Sequence, residues 1–262
     1  MSSQIYSGRT VLITGGESGI GRATALLFAK SGANVFTIDI NLHSENEQMY
    51  QDSGIHRLQG DVRQEATLQK LVDLAIAETD RLDIFVNNAG VGMVKPVTDV
   101  TEEDWEYCMG VNLKAAFFGC KLAIQQMLSR EGGAIINVAS NAGLLPRAHD
   151  PLYSTSKQAV VGMTKSLALC HAKDRIRINA VCPGPVAETG MMNADIEQAT
   201  DPRTFIQNVI NASPGAAALG RMSSPEEIAE SILWLCSDAA LMVTGTMLAI
   251  DGGKSLGVPP SE

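Results

Sequence analysis

The chain has 262 residues, 45% of them hydrophobic, and a formal net charge of −9. This acidic balance opposes nucleic-acid binding, because phosphate neutralisation needs clustered lysine and arginine. The chain start lacks an apolar signal core, and no apolar run reaches the roughly 18 residues that a membrane span needs. We therefore expect a cytoplasmic protein with neither nucleic acid nor membrane among its partners.

The metal-binding residue types are scattered along the chain. The five cysteines form no Cys-x-x-Cys motif, and the four histidines form no cluster with each other or with cysteine. We expect reduced, buried thiols and no metal site.

Short β-branched runs alternate with longer amphipathic patterns. Strands are predicted at 11–14, 35–38, 84–86, 134–138, 176–178 and 247–250, with a weaker one at 55–58. Between them, Leu68, Leu71, Val72 and Ala75 share one helical face. Capping patterns at 101–104 and 224–227 begin two further helices. This alternation predicts an α/β fold, a doubly wound parallel sheet of about seven strands flanked by helices on both faces.

One long stretch, residues 183–219, departs from this alternation and contains four prolines. No linker or repeat divides the chain, so we interpret residues 1–262 as a single domain. Long segments of this kind inside a compact domain are usually binding loops or lids. We expect a mobile substrate flap at about 187–219, whose Pro202 and Pro214 prevent one long helix.

A glycine-rich turn joins the first predicted strand to the first predicted helix. Gly15, Gly19 and Gly21 have the spacing Gly-x3-Gly-x-Gly. Glycines let the backbone approach a pyrophosphate, and the helix N-terminus that follows favours an anion. The turn therefore predicts a dinucleotide site.

Asp39 ends the second predicted strand, where a carboxylate can accept hydrogen bonds from both hydroxyls of an adenosine ribose. The same carboxylate repels a 2′-phosphate. Glu17 is expected to add a second negative charge inside the loop, and no lysine or arginine directly follows Asp39. These features favour NAD over NADP.

Five ordered motifs resemble those of the short-chain dehydrogenase/reductase family. They are the glycine turn at 14–21, Asn-Asn-Ala-Gly at 87–90, Tyr-x-x-x-Lys at 153–157, Pro-Gly at 183–184 with Thr189, and Asp-Gly-Gly at 251–253. The resemblance covers nearly the whole chain. It implies a Rossmann fold and an oxidoreductase activity.

Tyr153 and Lys157 are four residues apart on a predicted helix and share one face. A nearby ammonium is expected to lower the pKa of a phenol toward neutrality. The resemblance implies that Tyr153 is the general acid/base and that Lys157 also binds the nicotinamide ribose. It further implies that Ser140, which follows a strand, hydrogen-bonds the substrate oxygen, and that Asn112 anchors a water that joins Lys157 to a proton relay.

The resemblance also implies a set of cofactor contacts. Asp61 and Val62 match the adenine edge, Asn88 and Gly90 the ribose, and Val186 and Thr189 the nicotinamide amide. The complete cofactor set is Gly15, Ser18, Gly19, Ile20, Gly21, Asp39, Asp61, Val62, Asn88, Gly90, Tyr153, Lys157, Pro183, Val186 and Thr189. Arg147 and His149 precede Tyr153 closely enough to touch a substrate, although we expect them on a solvent-facing loop.

Three functions fit these residues. The leading one is an NAD-dependent dehydrogenase or reductase acting on a small-molecule secondary alcohol or its ketone. The second is an NADP-linked 3-ketoacyl-carrier-protein reductase, which Asp39 and Glu17 oppose and the net charge of −9 disfavours, since its carrier partner is acidic. The third is a non-catalytic NAD-binding protein, because fold alone does not imply function. The intact set of Asn112, Ser140, Tyr153 and Lys157 argues against it.

Two predicted helices are too apolar all round to cover only a sheet. One begins near Thr101 and carries Trp105, Phe117 and Phe118, and the other follows Tyr153 and carries Met163 and Leu167. The resemblance implies that such helices pair across a two-fold axis, and that a second axis involves the C-terminal segment. We expect a homotetramer.

Overall fold

The computed structural model describes residues 4–257, built on one parallel sheet with the strand order β3-β2-β1-β4-β5-β6-β7. The seven strands are β1 (Thr10–Thr14), β2 (Asn34–Asp39), β3 (His56–Gln59), β4 (Ile84–Asn87), β5 (Gly133–Val138), β6 (Ile176–Pro183) and β7 (Met247–Ile250). The central strands β1 and β4 are buried along their whole length, as their aliphatic runs predict. The predicted doubly wound α/β fold is confirmed.

Ten α-helices connect or flank these strands within the described residues. They are α1 (Gly19–Lys30), α2 (Glu47–Asp52), α3 (Glu65–Thr79), α4 (Glu102–Met109), α5 (Ala115–Leu128), α6 (Pro151–His171), α7 (Gly190–Gln198), α8 (Pro202–Asn211), α9 (Pro214–Leu219) and α10 (Pro225–Cys236). Both predicted capping boxes are present, at Thr101 before α4 and at Ser224 before α10.

Alternate strand residues divide the core between the two faces of the sheet. Val11 and Ile13 of β1 pack with α1 and α10, whereas Leu12 packs with α3 and α5. The first face is closed by extensive packing between α1 and α10, near which the Tyr6 hydroxyl donates to the Leu233 carbonyl. The sheet is therefore covered on both sides.

The proline-rich stretch after β6 folds as three short helices, α7, α8 and α9. Pro202 and Pro214 each occupy the first turn of a helix, so the predicted division is confirmed. Thr189 caps α7 by accepting a hydrogen bond from the Met192 N–H at 3.2 Å. This segment lies in the crossover between β6 and β7, next to the carboxyl ends of the strands.

Between residues 4 and 257, no helix combines the length and the apolarity that crossing a bilayer requires. The expectation of buried thiols is correct for Cys108, Cys120, Cys182 and Cys236 but wrong for Cys170, which is exposed near the end of α6.

Candidate active site

The candidate site lies where the strand order reverses, between β1 and β4. At such a point the loops after the two strands diverge and leave a crevice at the carboxyl edge of the sheet. The Asn88 side chain closes its base by donating to the carbonyls of Thr14 at 3.0 Å and Gly15 at 2.9 Å. The Thr14 hydroxyl in turn accepts from the N–H groups of Asn88 and Ala89, both at 3.0 Å. The first two motifs thus hold each other in place.

The glycine turn has the shape that close approach of a ligand to the backbone requires. Gly15 and Gly19 have φ angles of +69° and +50°, which favour glycine. A Cβ on Gly21 would lie 1.9 Å from the Gly15 carbonyl oxygen, so no side chain fits there. Ser18 is the N-cap of α1, and its side chain makes no capping hydrogen bond, which leaves the first-turn N–H groups of α1 available to an anion.

This cradle fits a dinucleotide pyrophosphate, which residues 18–21 would hold. The Ile20 side chain is partly buried and packs against the core. A Cβ on Gly19 would lie 3.0 Å from Thr189 Cγ2, so the start of the flap borders the same cradle. Pro183 ends β6 just before, and Val186 is buried and bridges to Ser223.

Asp39 is partly buried at the end of β2, and its Oδ2 accepts from the Glu17 N–H at 3.1 Å. The Gly60 N–H donates to the Asp39 carbonyl at 2.8 Å, which brings Asp61 and the buried Val62 to the same end of the cleft. The Asp61 carboxylate is engaged by Arg63, whose hydrogen bonds lower its pKa.

The expectation that Glu17 adds a free negative charge is wrong. Its carboxylate is buried and forms a two-point ion pair with Arg57, with both N···O distances at 2.7 Å. Burial alone raises the pKa of Glu17, but hydrogen bonds from Arg57, Asn46 and the His43 N–H outweigh burial and hold the pKa below its usual value. Arg57 was missed in the sequence because it lies 40 residues from its partner.

Tyr153 and Lys157 lie in the first half of α6 with 7% and 4% of their surfaces exposed. The Lys157 Nζ lies 5.8 Å from the centroid of the Tyr153 ring and donates to the Val138 carbonyl at 3.0 Å. A Cβ on Gly90 would lie 3.4 Å from that Nζ, which places the second motif against the lysine. Lys157 therefore lies beside the Asn-Asn-Ala-Gly motif.

The expected depression of the Tyr153 pKa by Lys157 is not what the structure shows. Burial dominates and raises the pKa of Tyr153, and the groups that lower it in part are the Ser140 hydroxyl and the Arg147 guanidinium. Burial likewise disfavours the charged lysine and lowers the pKa of Lys157 to about 8. Ser140 itself follows β5, where its hydroxyl accepts from the Ala142 N–H and donates to Asn141.

Asn112 lies in a π-helical turn, Gly110–Lys114, between α4 and α5. Its side chain accepts from the Val91 N–H at 2.8 Å and donates to the Val91 carbonyl and the Ser156 hydroxyl, both at 3.0 Å. These contacts give the buried asparagine a positioning role: it fastens the loop after β4 to α6, one residue before Lys157. The sequence did not predict this π-turn, although asparagine is a poor helix former whose side chain competes for backbone hydrogen bonds.

Arg147 lies on the predicted solvent-facing loop, but its side chain is only 27% exposed and turns toward Tyr153. Its guanidinium lies 5.7 Å from the centroid of the Tyr153 ring and pairs with the buried carboxylate of Asp150 at 2.8 Å. Asp150, which the sequence reasoning missed, also accepts from the Ser154 hydroxyl. The His149 side chain is 60% exposed and agrees with the prediction. Within residues 4–257, His, Cys, Asp and Glu side chains nowhere converge in threes as a metal site requires.

Comparison with known proteins agrees with this architecture. The family model described as short chain dehydrogenase matches residues 9–200. An uncharacterised oxidoreductase of Thermotoga maritima is 37% identical over 254 residues, covering 95% of this chain and 98% of the relative. The cyclopentanol dehydrogenase of Comamonas testosteroni is 35% identical, covering 94% and 96%. The 3-oxoacyl-acyl-carrier-protein reductase of Thermotoga maritima is also 35% identical, covering 94% and 97%.

Among solved structures, the crystal structure of levodione reductase matches with a TM-score of 0.89 and 30% identity, covering 97% of this chain and all of that one. The fold and the site define an oxidoreductase with a Rossmann-type sheet. The chain belongs to the short-chain dehydrogenase family.

Proposed function

We propose that the protein transfers a hydride between NAD and a small secondary alcohol or its ketone, with Tyr153 as the general acid/base. The observation that carries this proposal is the convergence of a buried phenol, a buried amine and a hydroxyl beside the glycine cradle. Ser140 caps the turn Asn141–Gly143, which packs against α6, and we place its hydroxyl and the Tyr153 phenol on the same side of the cleft. A substrate oxygen between them would receive two hydrogen bonds.

Each side chain has a distinct task in this arrangement. In ketone reduction the Tyr153 phenol, which its raised pKa keeps protonated, gives its proton to the substrate oxygen, and in alcohol oxidation the same phenol oxygen takes the hydroxyl proton. Ser140 holds the substrate oxygen and stabilises the negative charge that develops on it. When bound, the nicotinamide supplies the centre that accepts or releases the hydride. Lys157, fixed by the Val138 carbonyl, would hold the nicotinamide ribose and keep a cation near the phenol.

The preference for NAD is supported by Asp39. Its carboxylate lies at the end of β2, with only part of its surface covered, where the adenosine ribose of a dinucleotide would lie. Two ribose hydroxyls can donate to it, whereas a 2′-phosphate would place like charges together. Asn88, Gly90, Val186 and Thr189 are proposed to hold the nicotinamide half.

One alternative has a relative in its favour. The acyl-carrier-protein reductase is as similar to this chain as the cyclopentanol dehydrogenase is. Asp39 opposes NADP, and the net charge of −9 repels an acidic carrier protein. Activity with NADPH on a ketoacyl thioester, together with inactivity on alcohols with NAD, would favour this alternative.

The test is a screen of cyclic, aromatic and polyol alcohols with NAD and NADP, followed by the variant Tyr153→Phe. We expect higher kcat/KM with NAD. Tyr153→Phe should lower kcat/KM by about 10²–10⁴-fold, because it removes the proton acceptor and keeps the ring. Ser140→Ala should lower kcat/KM by roughly 10²–10³-fold.

Tyr107→Phe is the matched control, since this tyrosine is exposed on α4 and its ring, which packs on Arg63, is retained. It should keep wild-type kinetics. NADH affinity should stay unchanged in Tyr153→Phe, which separates loss of chemistry from loss of folding. Near-normal turnover by Tyr153→Phe would show that the proposed mechanism is wrong.

A further inference from the structure

The buried ion pair between Glu17 and Arg57 joins the glycine turn to strand β3 and has no part in the mechanism above. Arg57 donates through Nε and Nη2 to the two Glu17 carboxylate oxygens, and Nη2 also donates to the His43 carbonyl at 2.8 Å. The exposed fractions of the two side chains are 13% for Arg57 and 1% for Glu17. Two-point pairing of this kind is the same geometry with which arginine binds a phosphate.

The pair lies directly beside the carboxylate that is expected to select the cofactor. Glu17 uses its backbone N–H to bind Asp39 at 3.1 Å and its side chain to bind Arg57. Thr37 pairs with Arg57 across the neighbouring strands, and Thr37 and Asp39 point to the same face of β2 because they are two residues apart. One glutamate therefore separates the ribose-binding carboxylate from an arginine.

The charges of the pair explain how an arginine can lie near Asp39 without offsetting the repulsion of a 2′-phosphate by that carboxylate. An unpaired arginine here would attract a 2′-phosphate and offset the repulsion by Asp39. With Glu17 in contact, the arginine's charge is neutralised and its Nε and Nη2 hydrogen bonds are occupied. Asn46 and the His43 N–H also donate to Glu17, at 3.1 Å and 3.0 Å, and fix its carboxylate against Arg57.

We propose that Glu17 is a specificity-determining residue that excludes 2′-phosphorylated cofactors. It pairs with Arg57 and so keeps this arginine from binding the 2′-phosphate of NADP. When the charge of Glu17 is removed, Arg57 becomes a cation able to favour NADP. This inference rests on the proposed function only in requiring an adenosine site beside Asp39. It requires no particular substrate and no catalysis.

The test is equilibrium binding of ADP and of adenosine 2′,5′-bisphosphate to the full-length protein. Each is measured by calorimetry for the wild type, Glu17→Gln and the double variant Glu17→Gln/Arg57→Gln. Glutamine keeps the shape of Glu17 and one acceptor oxygen, but removes its charge and the second oxygen that accepts from Arg57. We expect the ratio of affinities, bisphosphate over ADP, to rise by about tenfold or more in Glu17→Gln. The double variant should return the ratio to about the wild-type value.

Glu45→Gln is the matched control, because Glu45 is exposed, lies near His43 and has no contact with Arg57. It removes the same charge and should leave the ratio within about twofold. An unchanged ratio in folded Glu17→Gln, an equal rise in Glu45→Gln, or a rise that persists without Arg57 would each overturn the inference.

A second variant keeps the proposal testable if Glu17→Gln does not fold. Arg57→Gln leaves Glu17 charged and unpaired, so the ratio should fall below that of the wild type. A ratio that stays constant or rises would contradict the proposal. Binding without any alcohol oxidation would refute the proposed reaction and leave this inference standing, whereas failure of both nucleotides to bind would refute the inference itself.

Discussion

Lys157 is almost completely buried, and its ammonium donates a hydrogen bond to the Val138 carbonyl. Desolvation lowers the pKa of its ammonium from 10.5 to about 8, so the charged form destabilises the ligand-free fold at neutral pH. The difference between the two pKa values corresponds to about 3 kcal/mol. The buried charge of Lys157 therefore lowers the stability of the ligand-free protein, and the proposed function requires that charge.

Lys157→Met should therefore make the ligand-free protein more stable at pH 7, by up to about 3 kcal/mol, while weakening NAD binding. Between pH 8 and 10.5 the unfolded chain binds more protons at this position than the folded one, so the wild type gains stability as the pH rises. The advantage of the variant should shrink across this range. Urea unfolding at pH 7 and pH 10 measures the effect.

The matched control for this variant is Lys165→Met, which changes an exposed lysine on the same helix. It should alter stability by less than about 0.5 kcal/mol at either pH. If Lys157→Met destabilises the protein at pH 7, the buried amine is neutral or compensated, and the proposed charge near Tyr153 has to be reconsidered.

The mobility of the flap, residues 187–219, is the property of an element that the sequence predicts least directly. Its three helices are short, and only Met192 of α7 and Ile210 of α8 are buried in them. Thr189, which precedes α7, borders the cradle of Gly19. A bound dinucleotide would give this segment a surface to pack against and exclude water from the site.

We expect residues 190–211 to exchange their amide hydrogens much faster than β1 and β4 in the ligand-free protein, and to exchange more slowly with NAD bound. Hydrogen exchange followed by mass spectrometry with and without NAD measures both effects. Helix α10, packed on α1, is the internal control and should not respond. Protection of the flap equal to that of β1 without ligand would show that it is a rigid part of the fold.

Local signals predicted some elements well and left others unpredicted. Strand β1, the glycine turn and the capping boxes follow from neighbouring residues, and the structure has them where the sequence predicts. The helices α7 to α9 could be divided at their prolines but not bounded, because their few apolar residues carry little periodicity. The Glu17–Arg57 and Arg147–Tyr153 contacts could not be predicted, since each depends on how separate segments pack.

At the scale of the whole molecule, the apolar faces of α5 and α6 form an open groove. It is lined by Leu113, Lys114, Phe117, Phe118, Met163, Ser166 and Leu167. Phe117 is 49% exposed, whereas Leu122 and Val160 of the same helices are buried in the core. A large aromatic side chain at a groove of this kind favours contact with another protein surface.

We propose that this groove pairs with its copy in a second chain and that the protein is a homotetramer. Light scattering should give a mass near four chains of 27.8 kDa. Phe117→Arg should yield a smaller species, because it places a charge in an apolar contact. Val97→Arg, a change at a residue that is 71% exposed and lies outside the groove, should not. A stable, active monomer of the wild type would contradict the proposal.

The packing of α10 on α1 has a consequence for synthesis on the ribosome. Every residue proposed to touch the cofactor is translated by position 189, yet the partner of α1 follows at 225–236 and the edge strand β7 at 247–250. Until those segments emerge, Tyr6 and Phe28 lack the helix that covers them. The nascent chain therefore holds every residue of the cofactor cradle while part of its core is uncovered, and exposed apolar surface of this kind is what chaperones bind and what leads to aggregation.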